Sequence, residues 1–204
     1  MSKDVLGSNA LADIAGPLKD FAEKFAGSEG AIWFSAFKRF LRKENPWPLK
    51  LIRQMTLTIG GLSKEDLFRR VEAQSKVSSW ARDIYGKPEL TVSPTATEVE
   101  FGWITVGDLG FTTMPTTLEL NARIRKVADL CSREDGPHLR VADKDQSRGT
   151  AYWVPMESII DSGGDPGVWY VGRGVDGGRW LDAGYAGPGG QWNLERVVVL
   201  RLRK

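Results

Sequence analysis

The sequence predicts an α+β protein in which helices come first and strands dominate the end of the chain. Apolar residues recur at helical spacing in the first 45 residues. Between Gly163 and Gly190 eleven residues are glycine. A helix is excluded there, because each interior glycine costs about 1 kcal/mol relative to alanine. The β-branched run Val197–Leu202 is typical of a strand, and strands that follow helices in this way favour the α+β class.

A helical segment is expected over residues 1–48. Ser28 is a suitable N-cap for a helix that runs to Lys43, and its aromatic residues recur at helical spacing along one face. Pro46 and Pro48 end this helix, because the residue before a proline avoids the helical region. We therefore place a domain boundary at residue 48 and assign residues 49–204 to a second domain.

The second domain is predicted to begin with a strand, Leu49–Ile59, that stops at two glycines. A capping signal at Ser63 begins a helical stretch that reaches Ile84 and is broken near Ser75. A connector, a strand and a helix are expected next, at Lys87–Pro94, Val99–Val106 and Thr117–Cys131.

Residues after Gly136 and Pro137 are predicted to be mainly strands and turns. Leu139–Ala142 and Ala151–Met156 have strand character and are joined by a polar loop, Asp143–Gly149. The glycine-rich residues that follow are expected to form turns and short irregular strands. The β-branched run at the end of the chain is predicted to be a central or closing strand.

Composition argues against a catalytic or metal-dependent protein. The single cysteine, Cys131, excludes an intrachain disulfide and a cysteine zinc site. The single histidine, His138, removes most histidine-based metal sites and catalytic triads. Because no nucleophile motif or phosphate-binding loop is recognisable, we expect a protein that is not an enzyme and has no cofactor.

The carboxylates of the glycine-rich region allow two interpretations. Asp161, Asp165 and Asp176 could ligate calcium, which prefers oxygen ligands. Their spacing matches no defined calcium motif, and aspartate and glycine are among the commonest turn residues. We predict turns at these positions and keep a calcium site as the alternative.

Charge and hydropathy predict a water-soluble protein. The formal net charge is +2 and 41% of the residues are hydrophobic, which supports a folded core but no strong field for nucleic acid. The first residues lack the cationic and apolar regions of a signal peptide, and no apolar run is long enough to span a membrane. The expected location is the cytoplasm.

One helix offers an alternative function. Its cations Lys38, Arg39, Arg42 and Lys43 gather on one arc of the predicted helix. Such an arc can contact phosphates, and it is also typical of a solvated face with cations at the favourable end of a helix. A nucleic-acid-associated accessory protein that acts through residues 38–43 is therefore the alternative function.

The aromatic residues near the end of the chain indicate binding. Tyrosine and tryptophan provide large contact areas at low entropic cost, and glycine and asparagine provide adaptable backbone and hydrogen bonds. We assign Trp180 and Trp192 to the core, and we regard Trp169, Tyr170 and Tyr185 as candidates for display on a surface.

Several segments resemble a known class of proteins. The segment GGRWLDAGYAGPGGQWNLERVVVLRLRK resembles the C-terminal end of the variable proteins that diversity-generating retroelements diversify. A similar helical segment (here WFSAFKRFLRKENPW), middle segment (here Val106–Cys131) and turn (here DSGGDPG) occur in hypothetical proteins of uncultivated, reduced-genome bacteria. The resemblance implies a C-type-lectin-like mixed α/β domain over residues 49–204, with a hypervariable region at about residues 167–196.

The same resemblance implies which residues bind. Retroelement mutagenesis acts at template adenines, so the variable positions are those whose residues are accessible from asparagine-type codons. Residues of that kind are Val168, Tyr170, Gly174, Val175, Asp176, Asp182, Gly184, Tyr185, Gly187, Gly189, Gly190 and Asn193. The implied function is a ligand-binding display protein whose partner is an unidentified protein or other macromolecule.

Overall fold

The computed structural model describes residues 8–42 and 49–203. Contacts within the chain divide it into two compact units, with the division between residues 48 and 49. The predicted helix stop at Asn45-Pro46-Trp47-Pro48 lies outside the described residues, and so does Lys43. Within the described ranges, no helix is both long enough and apolar enough to cross a membrane.

The first unit contains a pair of helices, α1 (Ser8–Ala26) and α2 (Gly30–Leu41). Aromatic rings join the two helices. Phe37 of α2 lies edge to face with Phe21 and Phe25 of α1, with ring centroids 5.0 and 6.1 Å apart. These contacts form because residues three or four positions apart in a helix share one face.

The second helix is shorter than the sequence predicted. Glu29 is at the N-cap position and no side chain caps the helix, so the predicted cap at Ser28 is wrong. The last turn carries part of the predicted basic arc, and the ammonium group of Lys38 lies 4.2 Å from the ring centre of Phe34. Binding of nucleic acid through this arc stays a prediction.

The second unit combines helices with one seven-stranded mixed sheet, which confirms the predicted α+β class. Its helices are α3 (Lys64–Glu72), α4 (Ser79–Gly86), α5 (Thr117–Val127) and α6 (Asp135–Ala142). Its strands are β1 (Arg53–Ile59), β2 (Lys76–Val77), β3 (Thr97–Thr105), β4 (Thr150–Ile160), β5 (Pro166–Arg173), β6 (Arg179–Tyr185) and β7 (Val197–Arg201).

The strands lie in the order β1-β3-β7-β4-β5-β6-β2. Neighbouring strands are antiparallel except β7 with β4 and β6 with β2, which are parallel. β7 therefore joins the pair β1–β3 to the group β4–β5–β6–β2. Its ladder with β4 contains one register pair, Trp153 with Val198.

The helical stretch after Ser63 is broken as predicted. The Ser63 hydroxyl accepts a hydrogen bond from Asp66 N at 3.0 Å, which caps α3. The chain leaves this helix before Ser75 and forms the short strand β2. A second cap then begins α4, because the Ser78 hydroxyl accepts from Ala81 N at 3.0 Å.

The strand predicted at Leu139–Ala142 is wrong, because these residues form the second half of α6. The sequence Gly136-Pro137 suggested a break in structure. Pro137 instead lies in the first turn of the helix, where its missing N–H group would have no partner within the helix. The predicted helix Thr117–Cys131 also ends early, since Ala128 is extended and Cys131 bridges to Met156 of β4.

The glycine-rich region is more regular than predicted. β5 and β6 form a hairpin that pairs without interruption from Gly167 with Tyr185 to Arg173 with Arg179. Glycine weakens an isolated strand, but here it makes room for aromatic rings that lie across the hairpin. Neighbouring structure therefore stabilises strands that local propensity disfavours.

A candidate ligand-binding surface

Four aromatic side chains form a row that crosses β4, β5 and β6 and includes one residue of the segment before β7. Successive residues of a strand point to opposite faces of a sheet, so the register of Trp153 with Tyr170 and of Tyr170 with Asp182 puts these side chains on one face. Trp153 stacks on Tyr170 with ring centroids 4.4 Å apart. Tyr170 contacts Trp180 at 4.9 Å, and Trp192 meets Trp153 edge to face at 5.1 Å. These four residues are named the aromatic row.

Two glycines leave space for the row. A β-carbon at Gly172 would overlap the ring of Trp180, and one at Gly184 would overlap the ring of Trp153. The rings therefore lie directly on the backbone of the hairpin. Trp180, which was assigned to the core, is half-buried here, whereas Trp192 is buried as predicted.

The opposite face of the same strands is core. Trp169, Val171 and Leu181 are fully buried there. The indole Nε1 of Trp169 donates to the Arg133 carbonyl at 2.6 Å, and its ring lies 6.2 Å from that of Tyr85 in α4. Trp169 is therefore a core residue, and its display on a surface is ruled out.

A cleft of about 400 Å³ lies beside the row. Its lining residues are Gly149, Ala151, Trp153, Tyr170, Asn193, Glu195, Arg196 and Val197. The guanidinium of Arg196 lies 5.0 Å from the ring centre of Trp153 and 5.7 Å from that of Trp192. The cleft thus combines aromatic rings, a cation, a carboxylate and an amide.

Two arginines, the buried Arg140 and the partly exposed Arg173, fix the loop that forms one side of the cleft. Arg140 donates to the Gln146 side chain at 2.7 Å and to the Gly172 carbonyl at 2.8 Å. Arg173 donates to the Gln146 carbonyl at 2.9 Å. Burial lowers the pKa of Arg140 to about 10, which still leaves it charged at neutral pH. The loop before β4 is consequently attached to the hairpin by charged hydrogen bonds.

The structure brings together half of the residues predicted to bind. Tyr170 and Asn193 line the cleft, and Asp182 is the register partner of Tyr170. Val175 is 82% exposed, and a β-carbon at Gly149 of the cleft would lie 3.3 Å from its side chain. The six that share this region are Tyr170, Gly174, Val175, Asp176, Asp182 and Asn193.

The other six predicted residues lie elsewhere. Val168 is buried, and so are Gly184 and Gly187, which lie under the rings of Trp153 and Tyr185. Gly190 contributes a carbonyl that accepts from Thr117 N at 2.9 Å, so its loop is attached to the first turn of α5. The residues outside the region of the cleft are Val168, Gly184, Tyr185, Gly187, Gly189 and Gly190.

The aspartates considered for calcium take part in turns. Asp161 Oδ1 accepts from Gly163 N and Asp165 N, both at 2.8 Å, and Asp176 Oδ1 accepts from Gly178 N at 2.9 Å. These are the local hydrogen bonds that favour aspartate in turns. Among the described residues, no group of three or more His, Cys, Asp or Glu side chains is arranged to hold a metal ion.

His138 links two elements of the core. It lies in α6 and is buried, and its Nε2 accepts a hydrogen bond from Gly60 N at 3.2 Å. Glu134 Oε2 lies 3.7 Å from the same nitrogen. Burial raises the pKa of Glu134, but the neighbouring His138 side chain and a hydrogen bond from Ser93 N lower it below its ordinary value overall.

Sequence reasoning missed Trp153, Glu195 and Arg196. A signal for Trp153 was present, because it alternates along β4 with Tyr152 and Val154, which are buried on the other face. Nothing local distinguishes Arg196 from an ordinary charged residue before a strand, because the turn between Trp192 and β7 places it in the cleft.

The chemistry of this surface suits binding, since tryptophan, tyrosine and arginine dominate the binding energy of protein interfaces. No family model, curated protein or solved structure matches the chain. The interpretation of the surface therefore depends on its own residues and their contacts.

Two tyrosines predicted to bind should differ in their effect on stability. We expect Tyr170→Ala to lower the free energy of unfolding by about 2 kcal/mol, because it removes two ring contacts, with Trp153 and Trp180. Tyr185 is 53% exposed, and Tyr185→Ala should cost about 0.5 kcal/mol or less. Urea unfolding of both variants measures the difference. Equal losses would show that the contacts of Tyr170 with the aromatic row do not stabilise the protein.

Proposed function

We propose that this protein is a ligand-binding display protein that uses the cleft, the aromatic row and the neighbouring turn at residues 174–178. The observation that carries the proposal is the cleft itself. Tyr170 and Asn193, which the sequence pointed to, line it together with Trp153 and Arg196. The partner is a protein or another macromolecule, and the role is binding rather than catalysis.

The arrangement supports display because one face of the hairpin packs in the core, whereas residues proposed to bind are exposed elsewhere. One face contributes Trp169, Val171 and Leu181 to the core, where all three side chains are fully buried. The exposed residues Val175 and Asn193 add no buried apolar surface. Substitution of such surface residues usually changes stability by about 0.5 kcal/mol or less.

The proposal includes the C-type-lectin-like fold and diversification by a retroelement, which the resemblance implies. The geometry narrows the set of variable positions. A larger side chain at Gly184 would displace Trp153, and one at Gly187 would displace Tyr185. Variation is therefore expected at the exposed positions Val175, Asp176 and Asn193 rather than at all twelve predicted positions.

Sequencing the corresponding part of the gene across its source population tests the proposal. We expect replacements at Val175, Asp176 and Asn193 to be many times more frequent than replacements at Gly172 and Gly184, which support the aromatic row. The replacements should also be concentrated at the codon positions where the template carries adenine.

The codons of Val198 and Leu200, two buried residues of β7, provide the internal control. An even distribution of replacements over exposed and buried positions would contradict diversification. Variation confined to buried positions would contradict display on this surface.

A further inference from the structure

Arg196 differs from the other arginines around the hairpin. Arg140, Arg173 and Arg201 all donate to backbone carbonyls or carboxylates. Within the described part of the chain, the Arg196 guanidinium makes no hydrogen bond and no ion pair, although it is exposed at the cleft. All of its N–H donors are therefore available to a ligand.

Aromatic rings hold this guanidinium in place. It lies over both Trp153 and Trp192, at 5.0 and 5.7 Å from their ring centres. Stacking on aromatic faces stabilises the cation and restricts its rotamers, so less freedom is lost when a ligand binds. A planar, stacked guanidinium presents its donors in a fork that matches a carboxylate or phosphate.

Other residues with hydrogen-bond donors line the same cleft. The Asn193 side-chain oxygen already accepts from Glu195 N at 3.0 Å, which leaves its NH₂ group free to donate to a ligand. The Tyr170 hydroxyl and the Trp153 indole N–H make no hydrogen bond with any described residue. Several donors around one cation require a ligand group with several acceptor positions, and a carboxylate has about four.

The charges favour a single carboxylate over a polyanion. Arg196 is the one cation among the residues that line the cleft, and the Glu195 carboxylate lies in the same lining. Nucleic-acid binding depends on several cations that each neutralise a phosphate. A cleft of about 400 Å³ also has room for a side chain rather than for a nucleic-acid strand.

We infer that the cleft binds a carboxylate of a protein partner, with Arg196 as the principal contact. The carboxylate belongs to an aspartate or glutamate side chain or to a C-terminus in an acidic segment. The inference rests on the proposed function, because it names the ligand chemistry of the same surface. Glu195 opposes the ligand by like-charge repulsion and thereby limits its affinity.

Selection of random peptides displayed on phage, with the full chain immobilised, tests the inference. We expect the wild-type protein to select peptides enriched in aspartate and glutamate. Arg196→Lys should weaken the binding of a selected synthetic peptide about tenfold, because lysine keeps the charge but loses the forked donors. Glu195→Gln should tighten it about twofold or more. Arg70→Lys, an exposed arginine on α3, is the matched control and should leave the affinity unchanged.

The outcomes separate the inference from the proposed function. If the selected peptides lack acidic residues and Asn193→Ala abolishes their binding, the carboxylate ligand is contradicted. The binding surface is retained in that case. Failure to select any peptide whose binding depends on the cleft would overturn both. Salt-dependent binding of a single-stranded DNA oligonucleotide that is lost in Arg196→Lys would overturn the carboxylate in favour of nucleic acid.

Discussion

Arg201→Met is expected to lower the free energy of unfolding by about 3 kcal/mol or more. Arg201 donates to both carboxylate oxygens of Asp135, at 2.6 Å each, and Asp135 is fully buried. The Arg201 side chain is 27% exposed, but its removal leaves the buried Asp135 carboxylate as an uncompensated charge in the core. The pair also joins β7 to the first turn of α6, so its loss affects both elements. Urea unfolding at neutral pH measures the change.

An exposed ion pair provides the control for this variant. Arg125 and Glu157 have side chains that are 51% and 70% exposed, so Arg125→Met should cost about 0.5 kcal/mol or less. The double variant Arg201→Met with Asp135→Leu should recover part of the lost stability, because no buried charge remains. Equal losses for Arg201→Met and Arg125→Met would contradict a buried, energetically important pair.

Gly136→Ala is expected to lower the free energy of unfolding by about 3 kcal/mol. A β-carbon at this position would overlap Cγ and Cδ1 of Trp169 and lie 2.6 Å from its Cβ. Trp169 has no room to move, because it is fully buried and its indole N–H donates to the Arg133 carbonyl. Overpacking of a dense core typically costs about 1–3 kcal/mol. We expect a cost at the upper end of this range, because the overlap extends to the Cβ atom of Trp169.

Gly86→Ala is the matched control for Gly136→Ala. Gly86 is the last residue of α4, and a β-carbon there would meet no atom within 4 Å. Alanine is a better helix former than glycine, so this variant should be neutral or more stable by up to about 1 kcal/mol. Thermal and urea unfolding compare the two variants. A loss in Gly86→Ala as large as that in Gly136→Ala would show that the effect is not due to packing against Trp169.

Local patterns predicted the elements whose cause is local. The cap at Ser63, the break near Ser75 and the helix start at Thr117 all depend on nearby residues, and the structure contains each of them. Two of the segments that were predicted wrongly depend on distant residues. Leu139–Ala142 is helical in a segment whose Asp135 binds Arg201 of β7, and β5 and β6 are regular because tryptophans cover their glycines.

Part of the candidate site was predictable from local sequence patterns, and the rest depends on contacts between distant residues. Tyr170 and Asn193 lie in the glycine-rich region that composition singled out, and both line the cleft. The cleft also needs Trp153 from the preceding strand, which only the pairing of β4 with β5 brings beside Tyr170. Whether a residue of the glycine-rich region is exposed or buried depends on which face of the hairpin packs against helices, as the fully buried Trp169 beside Tyr85 of α4 illustrates.

The position of β7 has a consequence for biosynthesis. This strand lies between β3 and β4, yet it follows all the other described strands in the order of translation. The β3 edge and the β4 edge are therefore unpaired on the nascent chain, and unpaired edges are where chains aggregate. The five residues Val197–Arg201 pair with both edges, so each half-sheet keeps an unpaired edge until these residues have been translated.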